Sequence, residues 1–421
     1  MKTKQTRPTR SPYTILHQIV QYIPGGFIEK IAEKIGVDAR RFSCTSHVLA
    51  LLYGHLSKAG SLNEICDALK LYESELSRIR GATAPKRNTF SHANRTRNPA
   101  IAEQLYWGLF KHLQQLSPNF TQCKKHKGFI HRFRREIYAV DSTTLKLALN
   151  SIDWARHRRK KAAAKLHMRL DVGTMLPSFA VVDKAAPNDI TRAPVLCAKL
   201  KDGDILLADR AYVGFEFMYN LAKRGIFFVL REKENMVYEI HESFEHKNPR
   251  ILSDEIVVPA NVDSKKKYPE TLRRVTAMVT IDNEEKEMVF LTNNFEWSPL
   301  SISELYRKRW SIEVFFKEIK QTLKLTDFVG YNENAVKWQV WIGLTVHLLL
   351  RFIKHVSKWG LSFSRLVGVM KNSIWTKFDL EKVLSIYGTA GAANSPKVTA
   401  EQLYFQGFAP FSDQPIGQHT T

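Results

Sequence analysis

Cysteine is scarce in this sequence. Four cysteines occur in 421 residues, and no two of them form a CxxC pair. They are Cys44, Cys66, Cys123 and Cys197. A disulfide framework or a structural zinc site needs cysteines at closer and more regular spacing. The sequence therefore indicates neither kind of cross-link.

Long apolar runs and acidic residues are also few. The N-terminus, MKTKQTRPTRSPYT, has no apolar signal core, and the most apolar run, 340–350, is too short to span a bilayer. Asp and Glu number 41 against 63 Lys and Arg, which gives a net charge of +22. We therefore expect a soluble intracellular protein without a membrane partner, whose basic surface binds a polyanion such as nucleic acid.

The first 122 residues predict a helical domain, because apolar residues recur there at helical spacing. The predicted helices are 28–35, 47–57, 61–69 and 100–115. A basic stretch at 84–99 surrounds a short helix that begins near Asn88. Its cations are Lys86, Arg87, Arg95 and Arg97. This stretch is either a helix-turn-helix with its basic helix in a DNA groove or a solvated basic loop, and the sequence leaves both open.

Residues 123–231 predict a mixed sheet with helices. The predicted strands are 137–141, 166–172, 177–183, 204–209 and 226–231, with helices at 193–200 and 215–223. Asp153 can cap a further basic helix at 154–165. In this order the first and fourth strands are parallel neighbours. Asp141 and Asp209 end those two strands, so they would lie side by side at the sheet edge where ligands usually bind.

The predicted secondary structure changes after residue 231. Residues 232–294 predict four strands with a turn at 281–285, which together form an antiparallel insertion. Residues 334–356 predict a helix that braces the core, and 391–421 predict an unstructured tail.

The stretch 305–326, LYRKRWSIEVFFKEIKQTLKLT, has no Gly or Pro and predicts one helix of about six turns. Tyr306, Arg309, Glu313 and Lys320 would project within roughly 60° of one another on that helix. Taken alone, this pattern also suits an ordinary solvated stripe in which Arg309 and Glu313 form an i,i+4 ion pair.

Three carboxylates become candidates for a metal site when these segments are combined. Asp141, Asp209 and Glu313 would form an oxygen-rich site for two Mg²⁺ ions, with Mn²⁺ as a substitute. Two such ions suit an in-line phosphoryl transfer. Each aspartate taken singly is also explained as a turn cap at a strand end.

Three motifs resemble a known family. YRKRWSIEVFFKEIK matches Y-x2-R-x3-E-x6-K, the signature helix of DDE transposases in the insertion-sequence-four family. VDSTT at 140–144 and ADRAY at 208–212 resemble the family's first and second aspartate motifs. The segment between them, with Lys165 and His167, is also similar, although we leave His167 outside the catalytic set.

The resemblance implies an α/β fold, with a ribonuclease-H-like catalytic core, a β-rich insertion and a preceding all-helical domain. The implied division is 1–122 for DNA binding, 123–231 and 295–390 for the core, 232–294 for the insertion and 391–421 for the tail. Asp141, Asp209 and Glu313 would be the catalytic metal ligands. Arg309 and Lys320 would hold DNA phosphates, and Tyr306 would contact the strand near the cut.

The implied activity is cut-and-paste movement of an insertion sequence, through a DNA hairpin and then strand transfer. The implied partners are double-stranded DNA, as terminal inverted repeats and target, and a second copy of the chain in the DNA complex. The expected location is the cytoplasm of a prokaryote, at the nucleoid. Trp297 and Tyr238 are candidates to hold a flipped base. Two alternatives stay open: a metal-dependent DNA nuclease with the same core, and a domesticated, non-catalytic DNA-binding protein, although the intact signature residues argue against lost activity.

Overall fold

The computed structural model describes residues 8–37, 39, 41–121, 132–146, 156–157, 161–184, 189–281, 284–322 and 332–387. The chain divides into two compact units. One consists mainly of residues 8–121 and 318–387, and the other mainly of 132–146 and 156–317. The predicted division at 122, 231, 294 and 390 stays a prediction.

The helices, in chain order, are α1 (Ile15–Val20), α2 (Phe27–Ile35), α3 (Cys44–Ser57), α4 (Leu62–Leu71), α5 (Glu73–Ser77), α6 (Arg87–Thr96), α7 (Ala100–Leu116), α8 (Asp189–Cys197), α9 (Phe215–Lys223), α10 (Val262–Lys267), α11 (Pro299–Arg307), α12 (Trp310–Thr322), α13 (Glu333–Val356), α14 (Phe363–Ser373) and α15 (Leu380–Tyr387). The strands are β1 (Ile137–Lys146), β2 (Arg156–His157), β3 (Lys161–Asp171), β4 (Leu176–Lys184), β5 (Ile205–Ala208), β6 (Phe227–Arg231), β7 (Tyr238–Ser243), β8 (Ile251–Pro259), β9 (Leu272–Ile281) and β10 (Glu284–Thr292).

The first unit is helical, and the predicted N-terminal helices are confirmed. Serine side chains cap two of these helices. The Ser43 hydroxyl accepts from the main-chain N–H of Ser46 at α3, and the Ser61 hydroxyl accepts from the main-chain N–H of Glu64 at α4. Such N-caps satisfy backbone donors that the first helical turn leaves unpaired. The short basic helix predicted near Asn88 is α6.

Helix α13 forms the centre of this first unit. It packs against α3, α6, α7 and α14. Its length and apolar composition would suit a membrane span, but 89% of its apolar window is buried inside the protein. It is therefore a core helix. The sequence predicted that this helix braces a core, and its packing places it among the N-terminal helices.

The second unit is built on one mixed sheet of ten strands. Strands β4, β3, β1, β5 and β6 follow one another across it, with β1–β3 and β3–β4 antiparallel and β1–β5 and β5–β6 parallel. This is the topology of a ribonuclease-H-like core. The predicted parallel pairing of the first and fourth strands, β1 and β5, is confirmed.

The predicted insertion strands are also present, as β7 to β10, and they continue the same sheet. β10 pairs antiparallel with β6, and β9, β8 and β7 follow in order. The insertion therefore shares its hydrogen-bond ladder with the core instead of forming a separate sheet.

Two local predictions are wrong. The predicted basic helix at 154–165 is absent from its described part, where 161–171 form β3. Nine residue pairs join β3 to β1, and this long pairing overrides the local helix propensity of its alanines and lysines. The predicted single helix at 305–326 is broken between α11 and α12, and its last residues, 323–326, lie outside the described ones.

Candidate active site

Two aspartates lie side by side where the parallel pairing of β1 with β5 ends. The predicted end of the first strand at Asp141 is wrong, because β1 continues to Lys146 through its antiparallel pairing with β3. β1 and β5 pair in register up to Val140 and Ala208, and the next residues along each chain segment are Asp141 and Asp209. Parallel strands in register bring equivalent positions to the same edge of a sheet. The main-chain N–H of Ser142 donates to Oδ1 of Asp141 at 2.7 Å, which orients that carboxylate at the end of the parallel pairing.

Tyr306 approaches the same edge from helix α11. Ser298 caps this helix, because its hydroxyl accepts from the N–H of Ser301. The helix packs over β6 and β9. The Tyr306 ring is buried against Phe290, with 4.8 Å between ring centroids. Its hydroxyl donates to Oδ1 of Asp209 at 3.3 Å.

The break between α11 and α12 positions Arg309. The N–H groups of Lys308, Arg309, Ser311 and Ile312 each bond to the carbonyl three residues earlier, so the chain passes the break as a tight 3₁₀-type turn. The Arg309 guanidinium is almost fully buried and lies over the rings of Tyr306 and Trp310.

Arg309 connects two of the three carboxylates. Its Nη2 donates to Oε1 of Glu313 at 2.5 Å, and its Nη1 lies 3.6 Å from Oδ2 of Asp141. Glu313 sits in the first turn of α12 and is half exposed, whereas the Asp141 side chain is 22% exposed. The guanidinium therefore neutralises charge from both acids.

The three carboxylates influence one another electrostatically. The pKa of Asp141 is raised to about 6, mainly by burial and also by the neighbouring charges of Glu313 and Asp209. The Ser142 N–H and the Arg309 guanidinium act in the opposite direction. A group of mutually repelling carboxylates at one edge favours the approach of a cation.

The donor set fits a hard divalent cation, because all three groups offer carboxylate oxygens. Within the described residues, however, no three acidic, His or Cys side chains are close enough together to hold a metal ion. Arg309 spans the gap between Asp141 and Glu313 instead. Joint metal binding by these residues therefore requires their carboxylates to move closer.

The other predicted site residues lie elsewhere. Lys320 is seven residues beyond Glu313 on α12, about 10 Å along the helix axis. In the helical unit, Lys86, Arg87 and Arg95 are exposed at α6. Arg97 differs from these three, because its guanidinium donates to main-chain carbonyls at the start of α3. The acceptors are the carbonyls of Phe42 and Ser43.

One acidic residue near the site was not predicted. Asp189, the first residue of α8, accepts a hydrogen bond from the Ser142 hydroxyl and pairs with Lys165. Ser142 and Lys165 belong to the segments that resemble the family motifs, but nothing in the sequence pattern indicates Asp189. Its role depends on how α8 packs against β1 and β3.

Comparison with known proteins shows the family of this chain. A family model described as "Transposase DDE domain" matches residues 132–349, more than half of the chain. The chain belongs to the DDE transposase family. It is an enzyme of the class that cleaves and transfers DNA, and the family generally uses divalent metal ions. A second model, for a domain of unknown function (DUF4372), matches residues 11–79.

Individual relatives agree with this membership. The protein named probable transposase for insertion sequence element IS5377, from Geobacillus stearothermophilus, is 25% identical over 79% of this chain and 82% of its own length. The y4zB protein of Sinorhizobium fredii, also named for transposase activity, is 24% identical over 65% of this chain and 76% of its own. Among solved structures, a piggyBac transposase synaptic complex with hairpin DNA matches with a TM-score of 0.45 and 11% identity, covering 88% of this chain and 83% of that chain.

Proposed function

We propose that this transposase moves an insertion sequence by cut-and-paste, using Asp141, Asp209 and Glu313 as ligands of two Mg²⁺ ions, with Mn²⁺ as a substitute. The observation that carries the proposal is the paired placement of Asp141 and Asp209 directly after the last pair of the β1–β5 ladder, with Arg309 joining Asp141 to Glu313. When bound, such ions activate an attacking oxygen and stabilise the leaving oxygen of a phosphodiester.

The chain's own side chains have separate roles in this proposal. Tyr306 holds the Asp209 carboxylate through its hydroxyl, and in this proposal it acts on the strand near the cut. Arg309 offsets the repulsion between Asp141 and Glu313, and in this proposal it also contacts a DNA phosphate. Lys320 follows on the same helix as a second phosphate contact.

The hairpin step is assigned to the insertion, 232–294. Unstacking duplex DNA costs a few kcal/mol per step, and stacking a base on an aromatic ring returns roughly 1–3 kcal/mol. The insertion has 13 Asp and Glu but only nine Lys and Arg. Phosphate neutralisation is therefore a poor explanation for DNA binding there, and ring stacking is the better one.

Two exposed phenylalanine rings belong to the insertion or lie beside it. Phe295, in the turn that follows β10, is 45% exposed, and Phe244 is 40% exposed. By contrast, the Trp297 ring packs against Phe133 and Phe227, and the Tyr238 ring packs against Phe215. Of these aromatics, Phe295 is the one we assign to base stacking, in place of Trp297 or Tyr238.

End recognition is assigned to the helical unit, with Lys86, Arg87 and Arg95 on the DNA. Arg97 supports them indirectly, because it ties α6 to the start of α3. The DNA is the element's inverted repeats and the target duplex. Two copies of the chain act together in the DNA complex, in the cytoplasm at the nucleoid, without a membrane partner.

The test is cleavage and binding measured on the same variants. Asp141→Ala, Asp209→Ala and Glu313→Ala should each abolish nicking of end DNA in Mg²⁺ while leaving gel-shift affinity within a few-fold, because the acids act through metal. Arg309→Ala should reduce cleavage more than affinity. A variant of any of the three acids that nicks at the wild-type rate would remove that residue from the site.

The nuclease alternative shares every residue of this site. Strand-transfer assays separate the two functions, because a nuclease gives cut ends and no joined products. Inverted repeats flanking the gene would identify the substrate independently.

A further inference from the structure

A polar cluster lies directly behind Asp141, on the opposite face of strand β1. Its centre is the Asp189 carboxylate at the start of α8. The Ser142 hydroxyl donates to Oδ1 of Asp189 at 2.7 Å. The Lys165 ammonium from β3 lies 2.8 Å from the same oxygen and 3.0 Å from Oδ2. Asp189 therefore bonds to two neighbouring strands at once.

A buried histidine completes the cluster. His167 is the register partner of Ser142 across the β1–β3 ladder and is fully buried. Its Nδ1 lies 3.5 Å from Oδ1 of Asp189. Ser142, Lys165 and Asp189 are themselves only partly exposed, so solvent competes weakly for these contacts.

We propose that Asp189 is a positioning residue for the Asp141 carboxylate, acting through Ser142. The Ser142 side chain is bonded to Asp189, and the N–H of the same residue donates to Oδ1 of Asp141 at 2.7 Å. Successive residues of a strand point to opposite faces, so Ser142 links the α8 side of the sheet to the catalytic side. The inference rests on the proposed role of Asp141 as a metal ligand.

The contacts of the cluster favour a carboxylate at position 189. The Ser142 hydroxyl donates to it and the Lys165 ammonium pairs with its charge. An amide at this position would lose the charge that pairs with Lys165 and would keep a single oxygen acceptor. Groups that orient metal ligands through hydrogen bonds typically change metal affinity or activity 10–100-fold when they are removed.

A second acidic contact to helix α8 provides a matched control. Asp183 on β4 pairs with Arg192 of α8, so it also ties α8 to the sheet. Asp183→Ala therefore removes an acidic contact to α8 while keeping the residues of the Asp189–Ser142 and Ser142–Asp141 hydrogen bonds.

The experiment measures Mn²⁺ binding to the full-length protein by electron paramagnetic resonance, without DNA and without turnover. Asp189→Ala should weaken Mn²⁺ binding roughly 10–100-fold, and Ser142→Ala should weaken it in the same direction. The double variant should be no weaker than the more affected single one, because both remove the same link. Asp183→Ala and Ser142→Thr, which keeps the hydroxyl, should bind within about twofold of wild type.

The outcomes separate this inference from the proposed function. A folded Asp189→Ala or Ser142→Ala protein with wild-type Mn²⁺ affinity overturns the inference and leaves the metal site standing. Wild-type protein that binds no Mn²⁺, or whose binding is unchanged in Asp141→Ala, overturns both. If Asp189→Ala does not fold, Ser142→Ala decides the test, since it removes a single hydroxyl.

Discussion

The predicted DNA-binding fragment, residues 1–122, should not fold by itself, because helix α13 supplies the centre of its core. Three aromatic side chains of α13 lie among the N-terminal helices. Trp338 packs against His47 at 4.4 Å between ring centroids, and Trp341 against Tyr106 at 5.6 Å. The third, Phe352, contacts Tyr22 and Phe120 at 5.3 and 5.1 Å.

The stability that the fragment loses can be worked out from these buried rings. Full burial of a large apolar side chain contributes about 1.5–3 kcal/mol, so the three rings together contribute roughly 5–9 kcal/mol. A whole domain is typically stable by roughly 5–15 kcal/mol. The fragment also loses polar contacts to the end of α6, where Asn334 donates to the Arg95 carbonyl and Trp338 to the Arg97 carbonyl. These losses are large enough to unfold it.

A permuted fusion provides the matched folded control. The main-chain N–H of Asp379 donates to the carbonyl of Thr9, so the N-terminal segment lies beside the start of α15. Helix α15 has eight residues and is about 12 Å long. A flexible linker of about ten residues has a mean reach of about 17 Å. Such a linker should therefore connect residue 387 to residue 8 in a fusion protein that consists of residues 332–387 followed by residues 8–121.

Urea unfolding followed by circular dichroism distinguishes the two proteins. The fusion should unfold cooperatively, whereas the fragment 1–122 should show weak helicity and no cooperative transition. The fusion should also shift end DNA in gels, and Lys86→Ala, Arg87→Ala or Arg95→Ala should each reduce the slope of log affinity against log salt by about one. Cooperative unfolding of the fragment alone would refute the argument from α13.

Two further predictions concern the second unit. Burial raises the pKa of Asp254, but its two-point contact with Arg273 and its contact with His246 together outweigh burial and hold that pKa below its usual range. Because the folded pKa is the lower one, the contribution to stability is complete above about pH 4 and is lost as the pH falls through the folded value. Asp254→Asn should therefore lower the free energy of unfolding by about 3–5 kcal/mol at pH 7. The difference in stability between wild type and variant should shrink below about pH 4. Urea midpoints measured across pH check this prediction, and a difference that stays constant with pH contradicts it. Phe295→Ala should leave first-strand nicking unchanged but reduce the yield of DNA hairpins several-fold. Trp297→Ala should mainly lower the melting temperature of the protein. A normal hairpin yield from Phe295→Ala would show that this ring does not stack on a base.

Much of the second unit could be predicted because its patterns are local. Helix α9 was predicted at its observed bounds, 215–223, and the strand ending at Asp209 was placed to within a residue. These segments are short, apolar and bounded by turn residues, so periodicity alone identifies them. The stretch now seen as β3 was misjudged in part, because its alanines and lysines favour a helix until β1 and β4 pair with it.

Tertiary contacts decided what the sequence could not show. Nothing in the local sequence marks the break after Arg307, since the stretch contains neither Gly nor Pro. The same limit explains why Asp189 was missed, because its partners come from strands that lie 24 and 47 residues earlier in the chain. A pattern analysis detects segments, whereas these positions are defined by which segments pack together.

The broken helix changes the meaning of the signature spacing. On one continuous helix, Tyr306, Arg309 and Glu313 would simply share a face. In the structure they occupy three different environments: the end of α11, a 3₁₀-type turn and the first turn of α12. Tyr306 reaches Asp209, while Arg309 reaches both Asp141 and Glu313. The helix-face argument from the sequence assumed one continuous helix, whereas in the structure the spacing places each of these side chains beside a different carboxylate.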